Sequence, residues 1–155
     1  MASEYDWDSG EGLSRIDDPA AVDAAFERGE RHLGTAVVGL AFTCPLAESS
    51  PRIVRATGLP DPAERQFAFT AAGVAARVHG SLTPELYAAL RAEGSSGFAE
   101  TAIDDALTFV PFRKLPPWLK RRWLLTGARD IAQGWWLRTA DVADRMRQTV
   151  RRRRP

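Results

Sequence analysis

The chain has 155 residues, 45% hydrophobic and 26% charged, which is length enough to bury a core in one domain and the balance of an ordinary globular chain. No stretch approaches the ~18 unbroken apolar residues of a membrane span. The acidic N-terminus lacks the apolar core of a secretory signal, and the single Cys44 excludes an internal disulfide or a thiolate zinc cluster, so a cytoplasmic protein is the expectation.

The net charge of +1 conceals a polarised chain. Residues 1–112 hold 8 Arg and no Lys against 17 acidic residues, a net −9, and residues 113–155 hold 13 basic against 3 acidic residues, a net +10. Such asymmetry either marks a charged partner or is neutralised within one fold.

In chain order, residues 1–15 place Glu4, Asp6, Asp8 and Glu11 among Ser and Gly. Their low apolar content predicts a mobile acidic arm. Tyr5 and Trp7 within it would dock on a basic partner or fold back on the chain's own basic C-terminal half. A single helical domain is expected over 16–150. It reads as repeat-like over 16–112 and as basic, Trp-rich helices over 113–150, with a basic tail over 151–155.

Asp17-Asp18-Pro19 is a cap followed by Pro in the first turn, so a helix starts there, with Ala21, Val22, Ala25 and Phe26 as its apolar stripe. Leu33 to Phe42 is apolar nearly all round and predicts a buried helix that Cys44-Pro45 stops. Ser49 or Ser50 then caps a short helix from Pro51 to Thr57. Leu59-Pro60-Asp61-Pro62 opens a longer helix whose stripe is Phe67, Ala71, Val74, Ala75 and Val78, closed by His79-Gly80. The small Ala72 and Gly73 allow a neighbouring helix to come close. Ser81 or Thr83, with Pro84, starts the next helix on Leu86, Tyr87 and Leu90. Gly94-Ser95-Ser96-Gly97 breaks it, and a further helix runs from Phe98 to Phe109.

Helix, short turn, helix, short turn is the pattern of an α-solenoid. Asp61-Pro62-Ala63-Glu64-Arg65, followed by Ala68, Ala72, Gly73 and Val74, resembles the second helix of a HEAT-like repeat. In that family an Asp at the entry precedes an Arg that holds the inter-repeat turn. Arg65 stands at the place of that Arg, and Glu64 stands where the family usually has Val. With Val38–Phe42 before it and Ala99–Ala106 after it, the stretch over about 33–110 resembles small bacterial HEAT-like proteins, several of which are regarded as immunity proteins or adaptors. The resemblance implies an all-α, HEAT-like solenoid of helical hairpins. It also implies a non-enzymatic protein-binding function: neutralising a toxin or other effector domain through the solenoid surface.

Beyond Phe109 a Pro-rich connection leads to Pro116-Pro117, which opens a helix with Trp118, Leu119, Trp123, Leu124 and Leu125 as its apolar residues. Gly127 permits a break before a last helix over 128–151. Four readings of this segment stand. A solvated Arg face over a Trp-anchored core would cap the solenoid at its end. Alternatively Lys120, Arg121, Arg122, Trp123, Trp135, Trp136 and Arg138 would hold a nucleic acid by pairing phosphates and stacking bases. A basic amphipathic helix also suits an anionic membrane surface, and the same face would also suit a protein partner, the two weaker readings.

The carboxylates assigned to contact with a protein partner are Glu85, Glu93, Glu100, Asp104 and Asp105. An acidic surface favours a basic partner through steering and specificity. Asp104 and Asp105, as helix neighbours, point about 100° apart and do not converge on one metal or substrate. Cys44 reads as a small buried side chain, and His32 and His79 as residues at helix ends. There is no Gly-rich phosphate loop, His-x-x-x-His pair or nucleophile elbow, so neither an enzyme nor a cofactor is expected.

Overall fold

The computed structural model describes residues 5–126, and within them the chain is helix and turn with no strand. It divides into two compact units, Met1–Leu115 and Pro116–Pro155. The first unit holds α1 (Pro19–Arg28), α2 (Leu33–Thr43), α3 (Leu46–Ala56), α4 (Pro62–His79), α5 (Pro84–Glu93) and α6 (Glu100–Phe109), with single 3₁₀ turns at Leu13–Arg15 and Phe112–Lys114. In the second unit a helix, α7, spans 117–126 among the described residues. It opens at the Pro116-Pro117 pair as expected. The helix expected over 128–151, with Trp135, Trp136 and Arg138, and the tail over 151–155 lie outside the described residues.

Three helices begin by one local device, an oxygen-bearing cap followed by Pro at a position whose amide has no helical partner. Asp18 accepts from the amides of Ala20 and Ala21 ahead of Pro19. Asp61 accepts from Ala63 behind Pro62, and Thr83 accepts from Leu86 behind Pro84. Helix α3 does not start where Ser49 and Ser50 suggest. It starts at Leu46, with Pro51 inside it. The reason is tertiary: both serines face inward, and the Ser50 hydroxyl is engaged 2.6 Å from the Thr83 hydroxyl at the start of α5. Pro51 sits on the exposed side, where a forfeited helical bond is tolerated more readily than in the core.

The helices of the first unit touch in two rows. Helix α1 meets α3 and α3 meets α5; α2 meets α4 and α4 meets α6; contacts of α2 with α1 and α3, and of α3 with α4, join the rows. Within the rows, α1 and α3 run parallel, as do α4 and α6. Arg52 of α3 reaches Asp23 and the Pro19 carbonyl of α1, while Arg55 reaches Glu27. Gly73 of α4 faces Ala102 and Asp105 of α6, while Gly80 faces Phe109.

Small residues make these approaches close. A Cβ on Gly73 would stand 2.5 Å from the Asp105 carboxylate, and one on Gly34 would stand 2.5 Å from the Glu64 carbonyl. Helix α2 is buried on most of its circumference, as its uniform apolarity predicts. Helix α4 departs from its expected stripe. Phe67 and Val78 are each 48% exposed, whereas Ala68, Phe69, Ala72 and Ala76 are buried. A helix touched by α2, α3 and α6 buries a band wider than one stripe, and the band is turned from the predicted one.

The expected mobile arm is folded over its described part. Trp7 is buried, and Leu13 and Ile16 have no exposed surface. The turn Leu13–Arg15 lies on α2, and the Thr43 hydroxyl donates to the Ile16 carbonyl at 2.7 Å. The Asp6 carboxylate accepts from the Ser9 hydroxyl and from the amides of Asp8 and Ser9, closing a turn. Mean composition hid three apolar anchors that suffice to dock a short segment. No described helix is long and apolar enough to cross a membrane.

Candidate functional site

The five carboxylates assigned from sequence separate into two groups. Glu93 and Asp105 work inside the fold. Glu93 accepts the Phe98 amide at 3.2 Å and shapes the α5–α6 turn. Asp105, whose side chain is 14% exposed, takes two 2.9 Å bonds from the Arg77 guanidinium and ties α6 to α4. Glu85, Glu100 and Asp104 face solvent. Glu100 and Asp104 lie one turn apart on α6 and therefore share a side of it. Glu85, in the first turn of α5, borders a groove of about 520 Å³ with Ala47, Pro51 and Val54 of α3 and the Ser50–Thr83 hydroxyl pair.

The arginines of this unit are largely committed internally. Arg28, Arg52, Arg55 and Arg77 form salt bridges with Glu30, Asp23, Glu27 and Asp105. Arg65 donates to the carbonyls of Leu59 at 3.1 Å and Pro60 at 3.3 Å, and so holds the α3–α4 turn. Arg15, Arg31 and Arg91 remain on the surface. With 17 acidic residues against 8 Arg before residue 113, the excess of negative charge is left to the surface. The Asp6 carboxyl is held below the ordinary carboxylate range, chiefly by the Ser9 hydroxyl and then the Ser9 amide.

Glu64 has a role that its sequence neighbourhood does not announce. Helix α2 starts at His32 in a left-handed conformation (φ 60°) with no side-chain cap of its own. Glu64 reaches across from α4 and accepts the amides of His32 at 3.0 Å and Gly34 at 2.5 Å. A carboxylate on those donors satisfies groups that would otherwise be orphaned and complements the helix dipole. The available signal was negative: Arg31-His32-Leu33 offers no Ser, Thr, Asp or Asn where α2 begins.

The other sequence candidates are placed as follows. On α7, Arg121 and Trp123 are exposed, with Trp123 at 45%, while Lys120 and Arg122 are half-buried. The His32 ring lies against Gly10, His79 ends α4, and buried Cys44 has its thiol 3.5 Å from the Asp17 carbonyl. Among the described residues no three His, Cys, Asp or Glu side chains cluster as metal ligands. Compared with family models, curated proteins and solved structures, the chain matches none of them.

Proposed function

We propose that the chain is a HEAT-like helical solenoid that binds another protein without catalysis, in the manner of an immunity or adaptor protein that neutralises a toxin or effector domain. The observation that carries this reading is the division of charge. Arg52, Arg55 and Arg77 of the first unit are used between helices, while Glu85, Glu100 and Asp104 face outward on α5 and α6. The two rows of helices and the hold of Arg65 on the turn before α4 support the solenoid. A basic partner surface fits: its Lys and Arg meet carboxylates that face solvent, gaining association rate and selectivity more than raw affinity. The slot beside Glu85 suits one such residue, with its aliphatic stem along Ala47, Pro51 and Val54 and its cationic head at the carboxylate.

The test is capture of the tagged protein's partner from its native lysate, with and without nuclease, beside the variant carrying Glu85→Lys, Glu100→Lys and Asp104→Lys. One stoichiometric, nuclease-resistant protein that the triple variant loses supports the reading. Equal recovery by the variant would refute the assignment of this surface.

A second reading places the function on α7, because Trp123, Leu124 and Leu125 are exposed beside Arg121. Aromatic and basic side chains together suit a single-stranded nucleic acid. Capture that collapses with nuclease, and falls steeply with salt, favours it.

A further inference from the structure

A second groove, of about 740 Å³, lies between the α1–α2 turn and the α3–α4 turn, at the starts of α2 and α4. Its apolar lining includes Phe26, Leu33, Leu59 and Phe67; Phe67 is half exposed. Its volume is within the roughly 300–1,000 Å³ of small-ligand sites, but such sites enclose most of the ligand, and this one is open to solvent. A peptide segment covers an open groove better than a compact molecule fills it.

The charge balance of the lining states what that segment carries. Glu30 is paired with Arg28, and Arg55 is paired with Glu27 while its guanidinium lies 4.5 Å over the Phe26 ring. Asp61 caps α4 and Glu64 caps α2, so both carboxylates face helix amides and the positive end of a dipole. Arg31 alone of the charged lining residues has neither ion pair nor hydrogen bond, and it is exposed at the rim. The groove therefore offers an apolar floor and one unspent positive charge.

We propose that this groove docks an extended acidic segment of a protein partner, with an aromatic or large aliphatic side chain against Phe26 and Phe67 and a neighbouring carboxylate on Arg31. Its polarity is opposite to that of the α5–α6 carboxylates. The site is thus independent of the surface proposed above and stands whether or not that surface binds anything.

The test uses the full chain and a fluorescent peptide of alternating phenylalanine and aspartate, read by anisotropy, beside a matched peptide with lysine for aspartate. The acidic peptide is expected to bind saturably. Arg31→Glu and Phe67→Ala are each expected to weaken it at least tenfold while the circular dichroism stays unchanged. Glu100→Lys with Asp104→Lys is expected to leave it within a factor of two. Arg31 is exposed and makes no ion pair or hydrogen bond among the described residues, so its variant remains interpretable if Phe67→Ala perturbs packing. Equal binding of the lysine peptide, no saturable binding of the acidic one, or indifference to Arg31→Glu would each overturn the proposal. So would displacement of the peptide by an equal concentration of phenylacetate, which would assign the groove to small acids. A dimer in sedimentation that Arg31→Glu dissolves would assign it to a second copy of the chain and overturn it as well.

Discussion

At the scale of single residues, Glu64 is the clearest case of one side chain stabilising an element to which it does not belong. Capping side chains contribute about 0.5–2 kcal/mol when replaced by Ala. Glu64 serves two amides of α2, at His32 and Gly34. Glu64→Ala is expected to fall in the upper half of that range, and urea unfolding followed by circular dichroism measures it. A midpoint unchanged within error would mean that water serves the α2 amides equally well. Tyr87 gives a prediction of the opposite kind. Its ring is buried and its hydroxyl makes no well-formed hydrogen bond among the described residues, only an approach to the Leu82 backbone, so Tyr87→Phe removes a poorly met polar group and at pH 7 should leave stability equal or higher by up to ~1 kcal/mol. Burial pushes the phenol above its ordinary value, with the Leu82 backbone partly opposing. The folded state then holds the proton more tightly than the unfolded state. This contribution is therefore absent below a pH of about 10 and destabilises as pH rises through the unfolded phenol's pKa. Thermal melts at neutral and alkaline pH should show a decline in the parent protein that Tyr87→Phe reduces.

At the scale of elements, α2 and the segment before it depend on Gly39. A Cβ there would collide with the Leu13 carbonyl and stand 2.9 Å from Ile16 Cγ2. A backbone carbonyl cannot yield as a side-chain tip does, and overpacking costs about 1–3 kcal/mol. Gly39→Ala is expected to release the Leu13–Arg15 turn from α2. Hydrogen exchange of residues 5–16 should then accelerate by at least tenfold with α4 and α6 unchanged, and equal protection would show that the segment is held elsewhere. The elements also show where sequence reasoning works. The caps of α1, α4 and α5 were legible because cap, Pro and amide lie within three residues of one another. The start of α3 was not, because Ser50 spends its hydroxyl on Thr83. Nothing local distinguishes Glu93 and Asp105, which are engaged in the fold, from Glu85, Glu100 and Asp104, which face outward, since the difference lies in Phe98 and Arg77. Glu64 was visible only as a residue that did not fit, because its partners lie about thirty residues away in sequence.

At the scale of the whole molecule, the net charge of +1 describes neither of the two units. Met1–Leu115 carries ten basic and seventeen acidic residues, a net −7, and Pro116–Pro155 carries the basic excess. The first unit contains both helix rows and their interhelical salt bridges. A fragment ending at Leu115 is therefore expected to unfold cooperatively, to show a helical spectrum and to be retained on an anion exchanger at neutral pH. The same fragment divides the two functional readings. If Glu85, Glu100 and Asp104 carry the activity, it keeps the protein partner, and its affinity falls as salt screens the exposed carboxylates. If α7 carries the activity, the fragment loses all retention of nucleic acid while remaining folded. A folded fragment that loses the protein partner would refute the α5–α6 surface, and a folded fragment that still retains nucleic acid as the full chain does would refute α7.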